Sequence, residues 1–211
     1  MTEDTPLRFD GPAAARWTLV LAHGAGQGMD SPFMTYFAET LGCDDIRVVR
    51  FDFPYMRASA QDGRRRPPNG QKVLLETWRS IIRQLRQDHV CGRLAIGGKS
   101  MGGRMASLIA AEQGVDALVC LGYPFHPPGK PDRLRTEHLY DLVLPTLICQ
   151  GERDTFGSRG EVEGYGLPSA VRLHWVADGD HSFKPRKSSG FAERDNWLAA
   201  AQAIRRFLAQ L

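Results

Sequence analysis

The sequence predicts an α/β fold: a mainly parallel, doubly wound sheet between two helical layers, a three-layer αβα sandwich. Short apolar, β-rich runs alternate with longer segments of helical period along the chain. Strands separated by helices imply right-handed βαβ crossovers and hence a mainly parallel sheet. The chain has 211 residues and is 42% hydrophobic. That suffices to bury one good core, so a single domain over residues 1–211 is expected.

The elements follow in order. Trp17 to Ala22 reads as a buried strand that turns at HGAGQG. Pro32 to Leu41 reads as a helix with Ser31 as N-cap and Pro32 at its first position. Ile46 to Phe51 is a second β-rich run, and Asp52 to Gly70, with three prolines and two glycines, reads as a long loop. Gln71 to His89 is an amphipathic helix with Val73, Leu74, Trp78, Ile81, Ile82 and Leu85 at helical spacing. Arg93 to Gly97 is the third strand and Met101 to Gln113 the helix after it; Asp116 to Leu121 is the fourth strand. Gly122 to Leu144 is a proline-rich loop. Pro145 to Gln150 and Ala170 to Val176 are the fifth and sixth strands, and Phe191 to Leu211 is a closing helix.

Composition narrows the function classes. No run of 18 or more apolar residues is present, so no membrane-spanning helix is expected. The first residues, MTEDTPLRFDGPAAARW, hold no apolar core of a secretory signal. Cys43, Cys91, Cys120 and Cys149 are widely spaced without a zinc pattern and read as reduced thiols in or near a core, which implies a cytoplasmic location. Net charge is +3, and the one basic cluster, Arg64 to Arg66, reads as a solvated loop, so no nucleic-acid partner is expected.

Parallel α/β sheets carry their chemistry beyond the carboxyl ends of the strands. The third strand ends in GGKSMGGR. Its GKS suggests a phosphate-binding P-loop, G-x-x-x-x-G-K-[ST], but the first glycine would then fall at position 93, which is Arg93. The residues between read as strand, leaving no loop to wrap a phosphate. The same letters fit G-x-S-x-G, a serine on a sharp strand-to-helix turn. There Gly98 and Gly102 supply the small residues that close strand–helix approach demands. A serine that simply caps a helix is the plainer alternative.

A serine hydroxyl needs a base, and the base needs an acid to fix its tautomer. In this topology the chain order is serine, acid, histidine. Asp154 follows the fifth strand, with Glu152 as local competitor, and His181 follows the sixth. Asp178, Asp180 and His181 also admit a metal reading, but no second histidine stands at helical spacing, and no metal or cofactor is expected. Two backbone donors would hold the oxyanion: the N–H of Met101, after the serine, and that of Ala25 in the first glycine loop, whose shape His23 would hold. Tyr55, Met56, Phe125 and Phe183 follow strand ends and are candidates to line the site, with ordinary loop packing as the alternative. Arg57, Lys99, Lys130, Lys184 and Arg186 lie near the same ends and suggest a mouth that attracts acidic substrates, unless they serve solubility.

With HGAG, GGKSMGGR, GERDTFG and GDHSFK in this order, the chain resembles small α/β-hydrolases. Within them it is similar to the dienelactone-hydrolase-like subgroup that includes testis-expressed proteins and histone-acetyltransferase-complex subunits. The resemblance implies an α/β-hydrolase fold, with Ser100 as nucleophile, Asp154 as acid, His181 as base and an Ala25/Met101 oxyanion hole. Dienelactone hydrolase itself uses a cysteine where this chain has Ser100, so its substrate does not carry over. The segment Tyr123 to Leu144, where this fold carries its cap, is too short for a lid domain. The expected activity is cleavage of a small-molecule ester or thioester at an open site. Some members of the subgroup serve as complex subunits, so a non-catalytic binding or scaffold protein is the alternative. Oligomeric state is not legible.

Overall fold

The computed structural model describes residues 5–88 and 92–211. His89, Cys91 and the first four residues lie outside the described residues, so the helix end at His89 and the reading of Cys91 have no structural counterpart here.

One seven-stranded sheet forms the middle layer, in the order β1-β3-β2-β4-β5-β6-β7. The strands are β1 (Leu7–Asp10), β2 (Trp17–Ala22), β3 (Ile46–Phe51), β4 (Arg93–Lys99), β5 (Ala117–Leu121), β6 (Thr146–Gly151) and β7 (Val171–Val176). All neighbouring pairs are parallel except β1, which runs antiparallel to β3 at the edge. β2, β5 and β6 are buried along their whole length, as strands covered on both faces must be.

The helices are α1 (Pro32–Leu41), α2 (Pro54–Asp62), α3 (Gln71–Gln87), α4 (Met101–Ile109), α5 (Arg159–Val162) and α6 (Glu193–Ala209). α1 and α6 pack on one face of the sheet, where Phe33, Phe37, Ile204 and Phe207 meet Leu19, Val48 and Val119. α3 and α4 pack on the other, where Trp78, Ile81, Met105 and Ile109 meet Val20, Val49 and Ile96. The three layers are therefore those the alternating pattern predicts. Leu74, Trp78, Ile81, Ile82 and Leu85 of α3 all face the core, whereas Val73, at the same spacing, is 43% exposed. Among the described residues no helix is long and apolar enough to cross a membrane.

Trp78 is fully buried, with its ring edge-on to Phe51 at 5.0 Å. Its Nε1 has no partner among the described residues, so it serves as apolar volume. Trp78→Ala is expected to lower unfolding free energy by about 3–5 kcal/mol. Urea unfolding measures it; a loss below about 1 kcal/mol would show that this face is not close-packed.

Three elements depart from the sequence reading, one of them α5, a single turn between β6 and β7 where no element was expected. The segment Asp52 to Gly70, expected to be loop, contains α2. Only Tyr55 of α2 is buried, so the helix has no apolar stripe to reveal it. Pro54 at its first turn and Gly63 in the left-handed region (φ 71°) mark its ends. The edge strand β1 also went unread, because four residues with mixed exposure carry no period. The proline-rich loop after β5 keeps one 3-10 turn, Glu137–Leu139, and its first residues, Tyr123 to His126, are buried against the body.

Candidate active site

The GKSMG segment forms the junction between β4 and α4. Residues 93–99 are strand, so no P-loop exists there. Ser100 sits at φ 51°, ψ −115°, a conformation costly for a residue with a Cβ. Gly98 has φ 147°, and a Cβ on it would lie 2.1 Å from the Ala22 carbonyl oxygen. A Cβ on Gly102 would lie 2.5 Å from the same atom. The two glycines thus let β4 and the start of α4 pass against the end of β2, and the turn lifts Ser100 out at the strand ends.

Two further loops reach this point. Asp154, after β6, is fully buried; its Oδ1 accepts from the Phe156 N–H (2.9 Å) and its Oδ2 from Gln150 Nε2 (2.9 Å). The same Oδ2 lies 2.8 Å from His181 Nδ1, and His181 Nε2 lies 2.8 Å from Ser100 Oγ. A carboxylate accepts only, so Nδ1 carries the proton, Nε2 is the free lone pair, and the serine hydroxyl donates to it. Burial is the main influence that holds the His181 pKa below its ordinary 6.5. Its bond to Asp154 opposes that shift, and the nearby Lys99 charge adds to it. The Phe156 ring covers the imidazole, centroids 4.2 Å apart. Glu152 points elsewhere, to Arg159 (3.0 Å) and the Asp178 N–H (2.9 Å). His138 also meets a serine, Ser107, at 2.8 Å, but Ser107 is buried and donates to the Arg104 carbonyl.

The first glycine loop is held from behind. His23 is fully buried; its Nδ1 is 2.6 Å from the Gly24 carbonyl, and its Nε2 accepts from the Phe53 N–H (3.1 Å). Those partners fix the Nδ1–H tautomer, and burial holds the pKa below 6.5. Tyr55 Oη donates to the Gly24 and Ala25 carbonyls, both at 3.1 Å. With its carbonyl turned back to Tyr55, Ala25 stands exposed on the cleft beside Ser100. Met101 opens α4, where the first N–H groups have no helical acceptor.

The cleft at Ser100 measures about 360 Å³. Phe33 and Met34 of α1, Phe156, Lys99 and Gln27 form much of its wall. None of the four expected lining residues is among them. Tyr55 is buried under the glycine loop, and Met56 borders a neighbouring hollow with Asp52 and Pro32. Phe125 is buried against Tyr123 (4.9 Å), and Phe183 against Phe33 (5.6 Å). Following a strand end in sequence does not fix a side chain's direction; these rings turned inward to bury area. The true walls of α1 carried one signal, a helix starting directly after HGAGQG. Of the five basic residues, only Lys99 reaches the cleft. Arg186 is bound to Asp178, which Arg153 also pairs. Among the described residues no three His, Cys, Asp or Glu side chains gather to hold a metal.

Residues 15–209 match a family model described as an alpha/beta hydrolase domain. The carboxymethylenebutenolidases of Pseudomonas putida and Pseudomonas knackmussii are each 33% identical over 129 residues, which is 59% of this chain and 52% of theirs. The chain thus spans about half the length of these curated relatives. An α/β serine hydrolase without a lid from Xanthomonas campestris has a TM-score of 0.73 at 21% identity, covering 97% of this chain and 92% of that one. A dienelactone hydrolase from Anabaena variabilis has a TM-score of 0.73 at 23% identity, covering 100% and 94%. At these identities the two structures bear on the fold alone.

Proposed function

We propose, on the premise that this chain belongs to the alpha/beta hydrolase family, that it is a serine hydrolase cleaving an ester or thioester through an acyl-enzyme on Ser100. One observation carries this reading: the unbroken relay from the buried Asp154 carboxylate through His181 to the Ser100 hydroxyl, 2.8 Å at each step. A protein that only binds a partner has no use for a buried carboxylate behind an imidazole that faces a strained serine.

In the proposed reaction Ser100 Oγ attacks the carbonyl carbon while His181 Nε2 takes the hydroxyl proton. Asp154 keeps the imidazole in the Nδ1–H tautomer and steadies the imidazolium. The N–H groups of Ala25 and Met101 donate to the oxyanion. His181 returns the proton to the leaving oxygen or sulfur, and a water then repeats the sequence on the acyl-enzyme. The shallow cleft, roofed by no lid domain, favours a small or surface-presented acyl group. The resemblance of the four motifs to the testis-expressed and acetyltransferase-complex subgroup belongs to this reading, as does a single domain. The buried free thiols of Cys120 and Cys149 support a reducing, cytoplasmic setting.

A fluorophosphonate probe tests the proposal. The wild-type protein is expected to label and Ser100→Ala is not. Equal labelling of both, or of neither, overturns it. A panel of p-nitrophenyl esters then reports acyl length.

A further inference from the structure

Lys99, the residue before the serine, is buried, with 9% of its surface exposed, and its amine ends against the histidine loop. Lys99 Nζ donates to the backbone carbonyl of His181. It lies 5.4 Å from the centroid of the Phe33 ring on the cleft wall. Gly122 makes room for this contact. A Cβ there would lie 2.8 Å from Lys99 Nζ, 2.7 Å from the His181 carbonyl oxygen and 3.4 Å from His181 Nδ1. The charged groups bearing on the amine are Asp154 and Asp180, and the titratable ring beside it is His181. A long, flexible, strongly hydrated side chain is rarely folded under a loop without return.

We propose that Lys99 is a positioning residue for His181. Its ammonium anchors the histidine loop by the main-chain carbonyl and so holds the imidazole in line with the serine hydroxyl. The inference rests on the hydrolase reading, in which His181 is the base.

The ammonium also acts on the ring by its charge, with a definite sign. A cation beside an imidazole disfavours the imidazolium, so Lys99 lowers the His181 pKa. Burial in turn brings the Lys99 amine down to about 8. Below that pH the anchor is charged, and above it the amine goes neutral and the hold on the carbonyl weakens. Activity is therefore bounded by His181 on the acid side and by Lys99 on the alkaline side.

The test is the second-order rate of fluorophosphonate inactivation of the full chain across pH, with an NMR titration of the His181 imidazole. Wild type is expected to show an acid midpoint below 6.5 and an alkaline fall near 8. Lys99→Met removes anchor and charge. It is expected to inactivate about tenfold to a hundredfold more slowly at neutral pH, with the acid midpoint raised and the alkaline fall gone. Lys99→Gln keeps a donor but not the charge; it should recover part of the rate while keeping the raised midpoint. An unchanged His181 midpoint in folded Lys99→Met or Lys99→Gln overturns the proposal. So does a wild-type profile without the alkaline fall, which needs no variant to fold. If the wild type fails to react with the probe at all, the hydrolase reading is what fails, and the NMR titration still reads the coupling of Lys99 to His181.

Discussion

Asp154→Asn is expected to lower kcat by about 10⁴-fold while the protein stays folded. The reason lies in which atoms donate. Asp154 Oδ2 accepts from His181 Nδ1, which leaves the lone pair of Nε2, the atom proposed to act as base, facing Ser100. An asparagine in the same place can turn its NH₂ toward Nδ1. Nδ1 then becomes the acceptor, the ring proton moves to Nε2, and the atom next to the serine hydroxyl no longer takes a proton. Loss of the negative charge also removes what steadies the imidazolium. The side-chain volume is unchanged, an amide oxygen can still accept from the Phe156 N–H, and Gln150 Nε2, which loses its Oδ2 acceptor, keeps the Tyr123 and Gly157 carbonyls, so the fold survives. The paired control is Glu152→Gln. Glu152 serves Arg159 and the Asp178 N–H, so its loss should alter kcat less than threefold, on the order of other surface changes. Steady-state kinetics on a p-nitrophenyl ester distinguishes the two carboxylates. Equal effects, or a fall below tenfold for Asp154→Asn, would remove Asp154 from the proposed relay.

The second large effect is on stability. Gly98→Ala should cost about 3 kcal/mol or more of unfolding free energy, a large part of the stability typical of a domain. Two penalties add. At φ 147° a side chain is strained wherever it points, and here the Cβ would press to 2.1 Å from the Ala22 carbonyl oxygen. The obstacle is backbone of the neighbouring strand, which cannot turn aside as a side-chain tip could. Gly160→Ala makes the contrast. Gly160 lies within α5, nothing stands within 4 Å of its Cβ position, and alanine is the better helix former. That change should be neutral or stabilising by up to about 1 kcal/mol. Urea unfolding of both variants compares them directly. A Gly98→Ala loss no greater than that of Gly160→Ala would mean that the elbow is looser than its geometry implies.

Legibility varied with the physics behind each signal. The strands β2, β5 and β6 were readable because burial on both faces demands near-continuous apolar runs, and β3, β4 and β7 because short β-rich runs stand between helices or turns. α3 was readable because one face must be apolar at helical period. α2 was not, since a helix that buries only Tyr55 has no stripe, and β1 was too short to show a period. At the site, Ser100, Asp154 and His181 were legible because each follows a strand end in the order the topology requires. The sequence favoured Asp154 and kept Glu152 as its competitor; the fold brings Asp154 to His181 and turns Glu152 to Arg159. The two stand two residues apart, and only the course of the turn decides which carboxylate reaches His181.

The sequence by itself determined the sandwich, the strained turn at GKSMG and the loops that carry Asp154 and His181, since these follow from local periodicity, glycine spacing and chain order. Only the tertiary structure decided which side chains face the cleft. Phe33, Met34 and Phe156 came to its wall, Tyr55, Phe125 and Phe183 turned into the body, and Lys99 folded beneath His181. Side-chain direction depends on what fills the space beside it, and that space is made by residues distant along the chain.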